Sequence, residues 1–194
     1  MEKLTGLKAI NTAVFISGTG NNLKNLIKFS KTKKNSISIN LIISNTNKAK
    51  GLKYADQFKI KKKIFNFQNT IITEQNILAL LKKEKIKFIC LAGFMRILSK
   101  NFIKKFNGKI INIHPSLLPK YKGLDTHERA ISNKDQFAGC TVHYVTEKLD
   151  SGKIIMQKKI KIANKDSAIS LAKKILRQEH KLYPAAIMKV LINP

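Results

Sequence analysis

Between Ile111 and Pro119 the chain reads Ile-Asn-Ile-His-Pro-Ser-Leu-Leu-Pro, and further along comes Leu149-Asp150-Ser151-Gly152. An amide, an imidazole and a carboxylate are the three groups that a carbonyl transfer without a covalent enzyme intermediate requires. Asn112 can donate a hydrogen bond to an oxygen gaining negative charge in a tetrahedral intermediate. His114 can give or take a proton near neutral pH, and Asp150 is expected to fix the imidazole's tautomer and favour its protonated form. Pro115 and Pro119 each fix their own φ and bias the preceding residue away from helix, so the stretch after His114 is expected to be stiff and extended. Neither Ser116 nor a cysteine has an activating partner nearby in sequence, which argues against an acyl-enzyme. Each group alone has an ordinary reading: a strand-end Asn, a packed or surface His, an Asp-Ser-Gly turn. The pattern taken whole points to acyl or formyl transfer.

The elements that must carry these groups alternate. Strand-like runs at Ala13–Ser17, Ile37–Ser44, Lys63–Phe67, Phe88–Ala92 and Ile110–Ile113 are followed by helical patterns at Asn22–Lys31, Lys48–Phe58, Ile71–Lys85, Ser99–Phe106 and Thr126–Asn133. This predicts an α/β fold: one open, mainly parallel twisted sheet with helices on both faces, Rossmann-like in character. Two more β runs, Gly139–Val145 and Lys153–Ile162, precede a helical pattern from Ser167 to Leu182, with Pro184 expected to break or kink what continues. No repeat or linker divides the chain, so residues 1–194 are expected to form a single domain, with 1–11 a loosely ordered N-terminal extension. In such sheets ligands bind beyond the carboxyl ends of the strands, which is where Gly18, Gly93, Asn112 and His114 fall.

The first strand-to-helix turn, Ser17-Gly18-Thr19-Gly20-Asn21-Asn22, can cradle a phosphate with its main-chain N–H groups and the positive end of the following helix. A tight turn with an Asn helix cap is the alternative. A dinucleotide is disfavoured: Leu23 replaces the third glycine of G-x-G-x-x-G, and Ile43-Ser44-Asn45 lacks the acidic residue that holds a ribose hydroxyl.

Length suits a soluble globular fold, and 43% hydrophobic content is ordinary. The net charge of +27 is not, and lysine supplies nearly all of it, since the only arginines are Arg96, Arg129 and Arg177. The lysines are spread along the whole chain, aromatics are few and Trp is absent, which argues against nucleic acid as the partner and fits an A/T-rich coding sequence. A positive field would still attract anionic small molecules. Cys90 and Cys140, far apart and in apolar runs, suggest reduced buried thiols, and neither they nor the four histidines have metal-ligand spacing. No run approaches the ~20 apolar residues of a membrane span and none reads as a signal peptide, so a cytoplasmic enzyme is expected. His127 at a helix start and His143 within a β run read as capping or packing residues.

Asn112-Ile113-His114-Pro115-Ser116-Leu117-Leu118-Pro119, the preceding Leu91-Ala92-Gly93-Phe94-Met95-Arg96-Ile97-Leu98-Ser99, and Thr141-Val142-His143-Tyr144-Val145-Thr146 running to Gly152 together resemble the formyltetrahydrofolate-dependent transferases. Within them the chain looks most like the branch that formylates glycinamide ribonucleotide in purine synthesis, over roughly Ala13 to Tyr183. The resemblance implies 10-formyltetrahydrofolate as donor co-substrate, no metal, and two small-molecule ligands, a sugar phosphate and a folate. It implies Asn112, His114 and Asp150 as catalytic residues. It also implies Gly20, Asn21, Asn22 and Glu179 at the nucleotide substrate. The folate would meet Met95, Arg96, Ile97, Leu98, Asn112, Thr146, Glu147, Lys148, Leu149 and Asp150. Without the family, Glu179 reads as a solvated helical residue.

Three positions depart from the family pattern: Lys122 where proline is common, Asp125 where histidine is common, and the region of Thr73, which lacks an arginine some members use near the folate. Sister activities, formyl transfer to methionyl-tRNA and hydrolysis of the same donor, are the alternatives within the family, and a basic nucleic-acid-binding module is the one outside it. Monomer and homodimer are both compatible with the sequence.

Overall fold

The computed structural model describes residues 9–32 and 36–192. Seven strands form one sheet in the order β3-β2-β1-β4-β5-β6-β7. The chain forms two compact units: one runs up to Met95 and takes in Lys105–Lys109, and the other holds Arg96–Lys104 and everything from Ile110 on.

The first unit is a parallel α/β layer. β1 (Ile10–Ile16), β2 (Ile37–Ser44), β3 (Lys61–Ile64) and β4 (Phe88–Leu91) run parallel, β1 pairing with both β2 and β4, and β2 with β3. Strands covered on both faces need continuous apolar runs, and Ala13 through Ile16 are wholly buried, as are Leu41, Ile42 and Ile43. Helix α1 (Asn21–Ser30) buries Leu23, Leu26, Ile27 and Ser30, spaced three and four apart on one stripe. α2 (Leu52–Gln57) is shorter than the Lys48–Phe58 pattern suggests. α3 (Thr70–Lys83) starts where the Asn69 side chain accepts a hydrogen bond from the Ile72 N–H at 3.1 Å. Strand β3 forms at Lys61–Ile64 rather than at Lys63–Phe67, because pairing with β2 and not apolar content decides its register.

In the second unit α4 (Lys100–Lys105) precedes β5 (Lys109–His114), which pairs antiparallel with β6 (Phe137–Tyr144), and β6 in turn with β7 (Ile154–Lys161). α5 (Thr126–Ser132) lies between β5 and β6 in sequence. α6 (Ala168–Ile192) closes the chain and buries Leu171, Ile175, Glu179, Leu182, Tyr183, Ala186, Ile187 and Val190.

Of the two outcomes expected at Pro184, the break does not occur: the last helix continues to Ile192. Proline costs one N–H and crowds the preceding turn, but Tyr183, Ala186 and Ile187 on either side are wholly buried, and that packing outweighs the local penalty. Nor are all of residues 1–11 a loose extension: Ile10 and Asn11 pair with Ile37 and Ser38 as the start of β1, while residues 1–8 lie outside the described residues. Both cysteines are buried and neither is in a disulfide, and burial, helped by the nearby Glu179 charge, pushes the Cys140 thiol up to about 12. Among the described residues no helix is long and apolar enough to cross a membrane.

Candidate active site

β5 and β6 carry the chemistry because of their register. Asn112 stands opposite His143, and His114 opposite Thr141, so residues two apart on each strand present their side chains to one face. A tight bend then returns Asp150 to that face. The bend depends on Gly152: a Cβ there would sit 1.7 Å from the Tyr144 carbonyl oxygen, so no side chain fits where the chain folds back.

Asn112, His114 and Asp150 therefore meet as expected. His114 Nδ1 lies 3.4 Å from Asp150 Oδ2, and both side chains are 7% exposed. Asn112 Nδ2 reaches Asp150 Oδ1 at 3.4 Å. His143 joins them, with Nε2 3.2 Å from Asn112 Nδ2 and 3.5 Å from Asp150 Oδ1. Its Nδ1 lies 2.8 Å from the Tyr144 carbonyl oxygen, which can only accept, so Nδ1 carries the proton and Nε2 accepts from the Asn112 amide. Sequence reasoning placed His143 in a packing role; in the fold it orients Asn112. Only the cross-strand register reveals this, since the β run alone does not say which residue faces Asn112.

The residue that fixes the His114 tautomer is also not the expected one. His114 Nε2 lies 2.8 Å from the Tyr121 carbonyl oxygen, an acceptor, so Nε2 is protonated and Nδ1 is left facing Asp150. The shorter contact decides the tautomer. Nor is His114 held in its charged form: burial brings its pKa below the ordinary value of 6.5, outweighing the Tyr121 carbonyl and the Asp150 carboxylate, which raise it. His143 and Arg129 add repulsion in the same downward direction. Asp150 stays ionised. Burial pushes its carboxyl up, but the His143 ring beside it, the Gly123 N–H and the neighbouring His114 together take it below the usual carboxylate value.

The stretch after His114 turns instead of staying extended. Leu118-Pro119 is a cis peptide, and the Lys120 N–H closes a turn on the Leu117 carbonyl at 3.1 Å. Thr141 Oγ1 donates to the Ser116 carbonyl at 2.7 Å and accepts from the Leu118 N–H at 3.2 Å, while Gln157 Nε2 donates to the Leu118 carbonyl at 2.9 Å. The strands thus grip the proline-rich segment from one side. The turn swings Tyr121 over His114 and brings the Gly123 N–H to Asp150 Oδ2 at 2.9 Å. Tyr121, Asp125 and Asp150 all have positive φ, at 54°, 55° and 44°. Such backbone persists only where its surroundings over-determine it.

The other predicted residues are distributed as follows. Gly20, with φ 75°, caps the start of α1 with no side-chain cap bond, so the Asn-cap alternative fails, and Asn21 and Asn22 form the first helical turn. Gly20 and Gly51 pack backbone to backbone: a Cβ on Gly20 would come within 2.6 Å of the Gly51 Cα. Met95 is exposed and its N–H bonds Ser17 Oγ at 2.7 Å. Arg96 and Ile97 are exposed, whereas Leu98 is buried and packs inward. Thr146 Oγ1 bonds the Lys148 carbonyl, and Glu147, Lys148 and Leu149 are exposed on the loop leading to Asp150. Glu179 is 6% exposed on α6, so the reading as a solvated helical residue is wrong. Thr73 is buried and donates to the Asn66 carbonyl at 2.9 Å. His127, at the start of α5, is half-buried. Among the described residues no cluster of three or more His, Cys, Asp or Glu could hold a metal ion.

A mostly parallel α/β sheet with an Asn–His–Asp cluster at the end of β5 defines a class, and the comparison with known families agrees: residues 10–187 match the formyl transferase model, and the chain belongs to that family. Family membership implies a folate-derived formyl donor. Among relatives, the chain is 41% identical to phosphoribosylglycinamide formyltransferase of Haemophilus influenzae over 90% of this chain and 84% of that protein. It is 40% identical to the human trifunctional purine biosynthetic protein adenosine-3 over 94% of this chain, spanning only 18% of that longer protein. The crystal structure of phosphoribosylglycinamide formyltransferase from Brucella melitensis superposes with a TM-score of 0.90 at 41% identity, over 95% of this chain and 96% of that one.

Proposed function

We propose that the chain transfers the formyl group of 10-formyltetrahydrofolate to the amine of 5-phosphoribosylglycinamide, as a single formyl transferase domain in purine synthesis. The observation that carries this reading is the meeting of Asn112, His114 and Asp150 in one cluster, in a formyl transferase family chain with relatives named for that reaction. In the mechanism the amine attacks the formyl carbon directly. Asn112, oriented by His143, exchanges its long 3.4 Å contact with Asp150 for a hydrogen bond to the developing oxyanion. With Nε2–H held by the Tyr121 carbonyl, His114 offers its Nδ1 lone pair to the proton the amine sheds, and as imidazolium it reinforces the oxyanion stabilisation and passes that proton to N10 of the leaving folate. Asp150 supports the charged imidazole while it lasts. Burial favours the neutral form of His114, the form able to act first as a base.

We assign the substrate phosphate to Gly20, Asn21 and Asn22 at the opening turn of α1, with Glu179 meeting the rest of the nucleotide. The folate falls to Met95, Arg96, Ile97, Leu98, Asn112 and the loop from Thr146 to Asp150. The exposure of Met95, Ile97 and Leu149, apolar side chains left at the surface, supports that assignment. The deciding assay supplies 10-formyltetrahydrofolate together with phosphoribosylglycinamide, with methionyl-tRNA, or with water alone. Deformylated folate is expected only with the first; product with either of the others reassigns the activity.

A further inference from the structure

Arg129, on the outer side of α5, is outside every assigned set, yet its contacts converge on the segment that touches both His114 and Asp150. Its Nη1 donates to the Lys122 carbonyl at 2.8 Å and to the Leu124 carbonyl at 3.4 Å, bracketing Gly123. Its guanidinium carbon lies 4.8 Å from the centroid of the Tyr121 ring. Asn133, one turn further along, donates to the Tyr121 hydroxyl at 2.8 Å. With the Arg129 main-chain N–H on the Asp125 carbonyl at 2.9 Å and the Asp135 carboxylate on the Tyr121 hydroxyl, these contacts tie the segment to the helix side. They matter because the segment delivers two main-chain groups: the Tyr121 carbonyl on His114 Nε2 and the Gly123 N–H on Asp150 Oδ2.

We propose that Arg129 is a positioning residue for formyl transfer, holding the Tyr121–Asp125 segment so that its main-chain groups stay on His114 Nε2 and Asp150 Oδ2. The physical need is plain. Tyr121, Gly123 and Asp125 all have left-handed φ, at 54°, 77° and 55°, and such a segment relaxes unless something outside it pins it. A planar guanidinium can span two carbonyls and stack on a ring at once; a lysine ammonium, a point donor on a flexible stem, cannot do all three. Lys122 secures the far side by bonding Ser151 Oγ at 2.6 Å, but it leaves the Tyr121 ring and the Leu124 carbonyl unheld.

The proposal rests on the formyl transfer reading, so its test has one arm that needs no activity. Amide hydrogen exchange of the 120–125 peptide is compared in the wild-type chain, Arg129→Gln and Arg129→Lys, with amides of β5 and β6 as internal controls. Exchange at Gly123 is expected to quicken at least about tenfold in Arg129→Gln and to a lesser degree in Arg129→Lys, with the controls unchanged. In the formyl transfer assay kcat is expected to fall roughly tenfold in Arg129→Gln while KM for phosphoribosylglycinamide stays within about twofold, with Arg129→Lys recovering only part of the loss. Unchanged Gly123 exchange overturns the proposal whatever the activity does, as does full recovery by lysine, which would reduce Arg129 to a bare charge. A wild-type chain without formyl transfer overturns the functional reading alone; Gly123 exchange would then still decide whether Arg129 holds the segment. Quickened exchange in β5 and β6 as well would mean that Arg129 supports the whole unit, and would also overturn it.

Discussion

The turn at Gly18–Asn22 presents main-chain groups, whereas the cluster around His114 presents side chains, and the two are stabilised by different means. At the turn, Gly20 and Gly51 approach so closely that the absence of a Cβ is itself the structural device, and the Gly51 N–H bonds the Gly18 carbonyl at 2.9 Å. At the cluster, four side chains from two strands and a bend come together, and a left-handed loop segment supplies the last two hydrogen bonds. A backbone cradle is a local feature of a few consecutive residues. A side-chain cluster exists only once strands have paired, so its electrostatics depend on neighbours far away in sequence.

The comparison breaks most sharply if the cluster proves dispensable. Removing an oxyanion donor of this type costs about 10²–10³ in turnover, so Asn112→Ala and His114→Ala are expected to lose that much kcat while still binding the nucleotide. Near-normal kcat in either, measured at saturating substrates, would take the chemistry away from this face. Asp150→Asn should lower kcat by roughly ten- to a hundredfold and shift its pH profile. The sign follows from the carboxylate's charge: Asp150 raises the His114 pKa, so its loss lets burial pull that pKa still lower. The acidic limb, below which His114 is protonated and cannot act as a base, therefore moves to lower pH, and a limb that moves up or stays put would contradict the assignment.

Smaller effects sharpen the contrast. His143→Ala removes the acceptor that orients Asn112 and is expected to reduce kcat about tenfold with little change in KM. Equal losses in kcat and nucleotide affinity would make His143 a packing residue after all. Gly20→Ala should act on the other region only. Its left-handed φ and the Gly51 Cα at 2.6 Å are expected to lower the melting temperature by roughly 2–10 °C and to raise KM for the sugar phosphate, with kcat near normal at saturation. A fall in kcat alone would mean that the turn serves catalysis and not binding.

Periodicity and motif spacing were enough for the alternating α/β architecture. β2 falls at Ile37–Ser44 as its apolar run indicates, and α1 and α3 lie within two residues of their patterns. These signals are short-range: burial stripes every three or four residues, and polar caps such as Asn69. The reading failed where tertiary packing outweighed local preference. The last helix runs through Pro184 because the faces on either side of it are buried. Glu179 is buried on that helix although nothing in its immediate neighbours sets it apart from the solvated residues nearby.

Residue types and order alone determined that this chain has an amide, an imidazole and a carboxylate at strand and loop ends, and that Asn112 and His114, two apart, share a face. That follows from the two-residue period of a strand, which needs no knowledge of partners. Only the folded molecule decided that His143 stands across from Asn112, that the Tyr121 carbonyl and not Asp150 sets the His114 tautomer, and that burial disfavours the charged imidazole. The reason is that register, desolvation and main-chain hydrogen bonds are properties of groups brought together from distant parts of the chain, and no local stretch of sequence carries them.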